Sequence, residues 1–379
     1  MTFWMRNALI KRFHQQARFA QDYSPLYALL FDIAAGWLEE GDPAGEWLIA
    51  ASNGRSPFDV TLLLAAGVHR DVLAGVEAAR PLAKYYPTAN GSLPPEPAPF
   101  AQALRQAIWE RRNALTAFIQ CATVQTNETA RGLVWLWPLL HLPWDAVHLV
   151  DLGASAGLNL AADRRSYQLL GENGRLQHQI GQGKPIQFQT ICQGDDPGIG
   201  DGRLPHILSR TGGDLTPFPL RTAEDELTLA SYVWGDQPIR LERLQEGIAA
   251  FKTVEEETAV CLHPVNLPRE LPQFLRDNIP AAPAAPVVIY NTYMTIYLEN
   301  RGEALRPIIG EWAAEQNRPV LWLQWEPLWD GPPPPEFGWC AWTADLWEGG
   351  SHQHFQLAWI HPHGTHLHWL PEAYQWTRF

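Results

Sequence analysis

The residues with the most chemistry in them sit together. Asp151-Leu152-Gly153-Ala154-Ser155-Ala156-Gly157 follows the apolar run His148-Leu149-Val150 and precedes a small-residue, helix-like stretch over 158–163. Gly153 permits a sharp turn after a strand, and Gly157 lets a helix start approach the strand and a ligand with no Cβ between them. The N–H groups of such a helix start face the crevice at the strand ends. Asp151, which closes the strand, repels a pyrophosphate. It suits a ligand carrying cationic or donor groups, such as the ammonium and sulfonium of S-adenosylmethionine. Two other readings stay open. One is a tight turn with no ligand. The other takes the same residues as G-x-S-x-G, a hydrolase nucleophile elbow with Ser155 at its centre. His363 or His366 would complete that constellation, with Asp330 or Asp345 between. An elbow follows several strands, however, and the first 145 residues look helical.

A nucleoside cofactor needs a carboxylate at the end of the neighbouring strand to accept its ribose hydroxyls. Asp214, in Gly212-Gly213-Asp214-Leu215-Thr216-Pro217, has that form, although it lies 63 residues on (214 − 151 = 63) where about 20 is usual. An insertion must separate them. Asp236, in Val233-Trp234-Gly235-Asp236, is its rival, and each is equally readable as a helix cap or Asx-turn. Asn127, Glu128 and Arg131 fall near one face of a helical turn. They either hydrogen-bond a substrate or form a cap plus an intrahelical ion pair. His352, His354, His361, His363, His366 and His368 crowd the C-terminal strands, where residues two apart share a face. Two such pairs could hold zinc or iron, but no Cys lies near and no carboxylate partner is evident, so they read as polar strand faces and no metal is expected. Asp195-Asp196-Pro197-Gly198 lacks the ligand spacing of a calcium loop.

The elements that must position these groups change character along the chain. Ser24-Pro25 caps a helix whose apolar residues Leu26, Leu29, Leu30, Ile33, Trp37 and Leu38 recur until Gly41. Similar patterns cover 58–68 and 100–123, with the loop Pro87–Pro99 between. From His148 onward short apolar runs alternate with helical patterns, the mark of a parallel α/β sheet. Val287-Val288-Ile289-Tyr290 and Val320–Trp325 are strands of that sheet, and 356–360 with 366–370 suit a terminal hairpin. Residues 165–206 fit the alternation poorly and read as an insertion, a β-hairpin plus loop. The division expected is a helical region over 1–145 and an α/β domain over 146–379.

Composition narrows the classes. With 28 Lys+Arg against 41 Asp+Glu, a net charge of −13 and no basic run, the chain lacks the footprint of a nucleic-acid or anionic-membrane binder. No apolar run reaches about 18 residues without a charge or Pro, so no membrane span is read. The N-terminus has no secretory h-region. Four scattered Cys fit reduced, mostly buried thiols of a cytoplasmic protein. Eighteen Trp suggest aromatic-lined pockets.

Taken together, Ser24–Tyr27, Pro81–Pro87, Thr126–Arg131, Asp151–Leu160, Asp163–Tyr167, Val233–Gln237 with Arg240, Trp322–Pro327 and His363-Gly364 resemble a bacterial family catalogued as domain of unknown function 2332. The family looks like class I S-adenosylmethionine-dependent methyltransferases: a Rossmann-like, seven-stranded sheet with a terminal β-hairpin behind an all-α N-terminal cap. The resemblance implies S-adenosyl-L-methionine as cofactor and a small-molecule substrate. Asp151, Gly153, Ser155 and Gly157 would cradle the cofactor and Asp214 its ribose. Asn127, Glu128, Arg131, Tyr290 and Asn291 would face the substrate, with Asp236, Glu326 and His363 as candidate bases. At Ser155 the chain differs from the family pattern of methyltransferases, where a second Gly is commoner.

Overall fold

A computed structural model describes residues 2–181, 188–199, 203–329 and 331–379. They fall into two compact units. One comprises the N-terminal residues through Thr126 together with Leu220–Glu242, the other Asn127–Pro219 with Arg243–Phe379.

The first unit is helical, and its helix starts are set by local chemistry. Ser24, Asp42 and Ser56 each accept a backbone N–H with a side-chain oxygen and are each followed by Pro at the first helical position, opening Pro25–Glu40, Pro43–Ala51 and Pro57–Leu73. Gly41 ends the first of these in a left-handed conformation, its N–H on Trp37 O. Leu30, Phe31, Leu38, Leu64, Leu104 and Ile108 share the core of this unit.

The second unit is built on one sheet. Its strands are β1 (Ala146–Leu152), β2 (Tyr167–Gly171), β3 (Leu176–Ile180), β4 (Phe188–Gln193), β5 (His206–Asp214), β6 (Val260–Pro264), β7 (Val287–Thr292), β8 (Val320–Glu326), β9 (Cys340–Glu348), β10 (Ser351–Ile360) and β11 (His366–Trp369). Their order across the sheet is β3-β2-β4-β11-β10-β9-β8-β7-β1-β5-β6. The run β6-β5-β1-β7-β8 is parallel throughout, and β8-β9-β10-β11 is an antiparallel meander. Alternation along each parallel strand serves two cores. Leu149, Tyr290 and Leu323 join Trp135, Trp137 and Trp342 on one face. Val150, Ile289 and Trp322 join Phe274, Ile309 and Trp312 on the other. Helices Leu271–Asn278 and Leu305–Ala314 cover that second face.

The mixed α/β class and the mostly parallel sheet agree with the sequence, and no strand precedes Ala146 among the described residues. The strand count does not agree: the described residues form an eleven-stranded sheet rather than a seven-stranded one. The 165–206 stretch supplies three of them. β2 and β3 form the expected hairpin, but β4 pairs in parallel with both β2 and β11, so the stretch extends the main sheet. The β10–β11 hairpin is present, and β9 was missed beside it. Trp135, Trp137, Trp322, Trp325, Trp342 and Trp376 are fully buried in the protein core.

Candidate functional site

Chain order reverses between β1 and β7: β1 continues to β5 and β6 on one side, and the later β7 and β8 lie on the other. In open α/β sheets a crevice forms outside the carboxyl ends of the strands at such a point. The glycine turn lies there. Gly153 turns at φ +84 and donates its N–H to Gly213 O at 2.7 Å. Asp214, ending β5, accepts from Ser155 N through Oδ2 and from Thr216 N through Oδ1, both at 2.9 Å. This carboxylate therefore ties β5 to the turn. The α-helix expected next is instead a 3₁₀ segment, Leu158–Arg164, broken at Ala161.

Close packing explains the glycines. A Cβ on Gly153 would lie 2.5 Å from Met294 Cγ, and one on Gly157 would lie 3.1 Å from Leu262 Cδ2 and 3.2 Å from Phe251 Cε2. Ser155 occupies the left-handed region at φ +51, where an L side chain is strained. Asn127 braces it, donating Nδ2–H to Ser155 Oγ at 3.1 Å and accepting from Ala156 N at 3.4 Å.

Asp151 is buried, and Tyr290, its register partner on β7, donates a hydrogen bond to its Oδ2 at 2.9 Å. Burial pushes the Asp151 carboxyl up to about 7, opposed by the Tyr290 bond and reinforced by the charge of Asp214. Asn291, one residue on, donates to Glu326 and accepts from Trp322 Nε1 at 2.7 Å.

Glu326 ends β8 inside the protein. Its oxygens accept from Asn291 Nδ2, Met294 N, Thr295 N and Thr295 Oγ1 at 2.8–3.1 Å. Burial raises its pKa and these bonds oppose the rise. The carboxylate thus fastens the loop after β7, in which Tyr293 is held at φ +53. Nothing in a single sequence signals a left-handed tyrosine at this position.

Glu128 is buried, and its Oε2 lies 3.0 Å from His363 Nδ1. Arg131, three residues on, was read as the alternative ion-pair partner of Glu128, but its Nε donates to Pro362 O at 3.0 Å and its guanidinium lies over Tyr293 at 4.9 Å. Glu128 stands outside the 3₁₀ turn 129–132 as its extended cap, at φ −86 and ψ 102, and its Oε1 accepts from Ala130 N at 3.4 Å. Asp151, Gly153, Ser155, Gly157, Asp214, Asn127 and Tyr290 are thus linked around the ends of β1, β5 and β7. Glu128 meets His363, and Asn291 meets Glu326. Asp236 belongs to the helical unit, where it accepts from Ser24 Oγ at 2.6 Å and from Leu26 N at 3.3 Å, capping Pro25–Glu40.

The hydrolase constellation finds different partners. Asp345, fully buried, takes Arg306, His352 and His354 on Oδ1. His366 Nδ1 lies 3.1 Å from Thr365 Oγ1, and Asp330 lies outside the described residues. No group of three or more His, Cys, Asp or Glu among the described residues is arranged to hold a metal ion. Cys192 and Cys340 are buried, while Cys121 and Cys261 are exposed, contrary to the expectation of mostly buried thiols. No described helix is long and apolar enough to cross a membrane.

In comparison with known proteins, the family model described as "Uncharacterized protein conserved in bacteria (DUF2332)" matches residues 10–369. None of the curated proteins and none of the solved structures compared with the chain matches it.

Proposed function

The chain belongs to this bacterial family, and from that premise and the geometry of the strand ends we propose that it is an S-adenosylmethionine-dependent methyltransferase acting on a small molecule. The observation that carries the reading is the reversal of strand order between β1 and β7, with the glycine turn on one strand and Asp214 ending the next. On this view β6-β5-β1-β7-β8-β9-β10 is the seven-stranded, Rossmann-like core, extended by β11, β4, β2 and β3.

The residues fit the cofactor at Asp214. Each of its oxygens accepts one backbone N–H, and a carboxylate oxygen has a second lone pair for a ribose hydroxyl. The cradle is narrower than the sequence implied, because Met294 covers the Cβ side of Gly153. Leu262 and Phe251 cover that of Gly157 likewise, so Asp151, Ser155 and Asp214 are left to hold the group. When bound, S-adenosylmethionine supplies an electrophilic methyl group. The protein's share is chiefly positioning, worth effective molarities of about 10⁵ M or more. An acceptor that must lose a proton gives it to His363: Glu128 on Nδ1 fixes the tautomer and puts the lone pair on Nε2. Glu326 and Asp236 have structural work, the first fastening the loop after β7 and the second capping a helix.

Calorimetric titration with S-adenosylhomocysteine tests the proposal. Binding is expected, weakened at least tenfold by Asp214→Ala, and no heat at millimolar ligand refutes it. Ser155 at φ +51 within G-x-S-x-G favours one rival, a serine hydrolase. Labelling of Ser155 by a fluorophosphonate, abolished in Ser155→Ala, would install that rival instead.

A further inference from the structure

Among the described residues, Arg131 is a buried cation with no counter-ion. It is 4% exposed. Nε donates to Pro362 O and the guanidinium face rests on Tyr293, but Nη1 and Nη2 have no hydrogen-bond or ion-pair partner among the described residues. Nor are they sealed in. The unpartnered atoms cut off from solvent include Nε and Nη2 of Arg165 but no atom of Arg131, so its two terminal nitrogens reach accessible space. Removing a guanidinium from water without a partner is unfavourable, and proteins rarely keep such a charge without a use. The nearest acid in sequence, Glu128, is turned to His363. The ring on the other side belongs to Tyr293, held left-handed by a loop that Glu326 fastens at Met294 and Thr295. Strain at a bulky residue persists where surrounding structure over-determines it, and such positions cluster at functional sites.

We propose that the substrate carries a carboxylate, bound bidentately by Nη1 and Nη2 of Arg131, with Tyr293 fixing the guanidinium plane. The two parallel N–H groups match a planar carboxylate in spacing and direction. A phosphate offers the same oxygens, but its second charge is disfavoured at strand ends that already carry Asp214 and Glu326 beside the Arg131 guanidinium. Pro362, which Arg131 holds, precedes His363, so a carboxylate on Arg131 places the rest of the substrate beside the Glu128–His363 pair. Calling this substrate the methyl acceptor rests on the methyltransferase reading; the carboxylate site itself does not.

The test is a thermal-shift titration of the full-length protein with sodium benzoate, and separately with sodium phosphate, at constant ionic strength. The expected result is a saturable rise in melting temperature with benzoate. Arg131→Met should weaken the apparent affinity at least tenfold, and Arg131→Lys should retain part of it. Three outcomes overturn the proposal: no saturable response in the wild type, an equal response in Arg131→Met, or a tighter response to phosphate than to benzoate. Should Arg131→Met fail to fold, Arg131→Lys and the wild-type titration still decide. S-adenosylhomocysteine titrated into the same sample separates the two claims. Nucleoside binding without benzoate binding sinks the carboxylate site alone, and benzoate binding without nucleoside binding sinks the methyltransferase reading alone.

Discussion

Replacing Glu326 tests whether a buried carboxylate at the strand ends is a fastener or a base. Glu326→Ala leaves four donors (Asn291 Nδ2, Met294 N, Thr295 N and Thr295 Oγ1) without their acceptor in a region sealed from water. A lost hydrogen bond nets about 1 kcal/mol and a stranded buried donor costs more, so the gross loss is about 4–6 kcal/mol. Relief of the carboxylate's own burial, the cause of its raised pKa, offsets part of that. A net loss of roughly 3–4 kcal/mol corresponds to a fall of about 10 °C in the melting of a unit this size. Glu326→Gln keeps the shape but turns an NH₂ toward N–H donors, and should lose about half as much. Because the chain has two units, melting is best read with hydrogen exchange at Met294 and Thr295, whose amides should lose protection in Glu326→Ala. The reasoning fails if Glu326→Ala melts within about 1 °C of wild type. A base would behave in the opposite way, with Glu326→Gln as stable as wild type and turnover abolished.

Three further outcomes are expected. The folded-state pKa of Asp151 is raised to about 7, so its contribution to stability is fully present below pH 4 and is lost as pH climbs through 7. That is about 4 kcal/mol over three units, and Asp151→Asn should remove this part of the slope in urea unfolding at pH 4–8; an unchanged slope would contradict the assignment. Gly153→Ala combines a left-handed φ with a Cβ against Met294, costing roughly 2–4 kcal/mol, and Met294→Ala in the same chain should restore part of the melting temperature; strictly additive losses would deny the contact. With an acceptor in hand that must lose a proton, His363→Ala should lower kcat by about 10²–10⁴ and Glu128→Gln by less, whereas equal rates in all three proteins would remove the imidazole from the mechanism.

What the sequence made legible was what local chemistry decides. Ser24-Pro25 and Gly41 bound a helix through bonds within a few residues, and the apolar runs of β1, β7 and β8 have no other burial than a sheet covered on both faces. β9 was lost behind the proline-rich loop, although Gly349-Gly350, at φ +58 and +79 between Glu348 and Ser351, is a two-residue hairpin signal that a closer reading would have used. The site was legible as a list of residue types but not as partnerships. Glu128 and His363 are 235 residues apart, and Asp236 caps a helix start 210 residues upstream. Asp345 collects His354, its partner in the β9–β10 register, and His352, two residues along on the same face, which no spacing along one strand reveals. Chirality was also invisible: Tyr293 and Ser155 owe their φ values to loops fastened from elsewhere.

Leu220–Glu242 returns to the helical unit only after β1 to β5 have been made. As the chain emerges from the ribosome, the start of Pro25–Glu40 therefore lacks Asp236, and Tyr27 lacks the indole of Trp234 that will stack on it at 4.9 Å, until more than two hundred further residues have been synthesised. A fragment stopped at Thr126 would carry that unfinished surface permanently. The helical bundle, begun before the sheet, is completed only after five of the sheet's strands have been made.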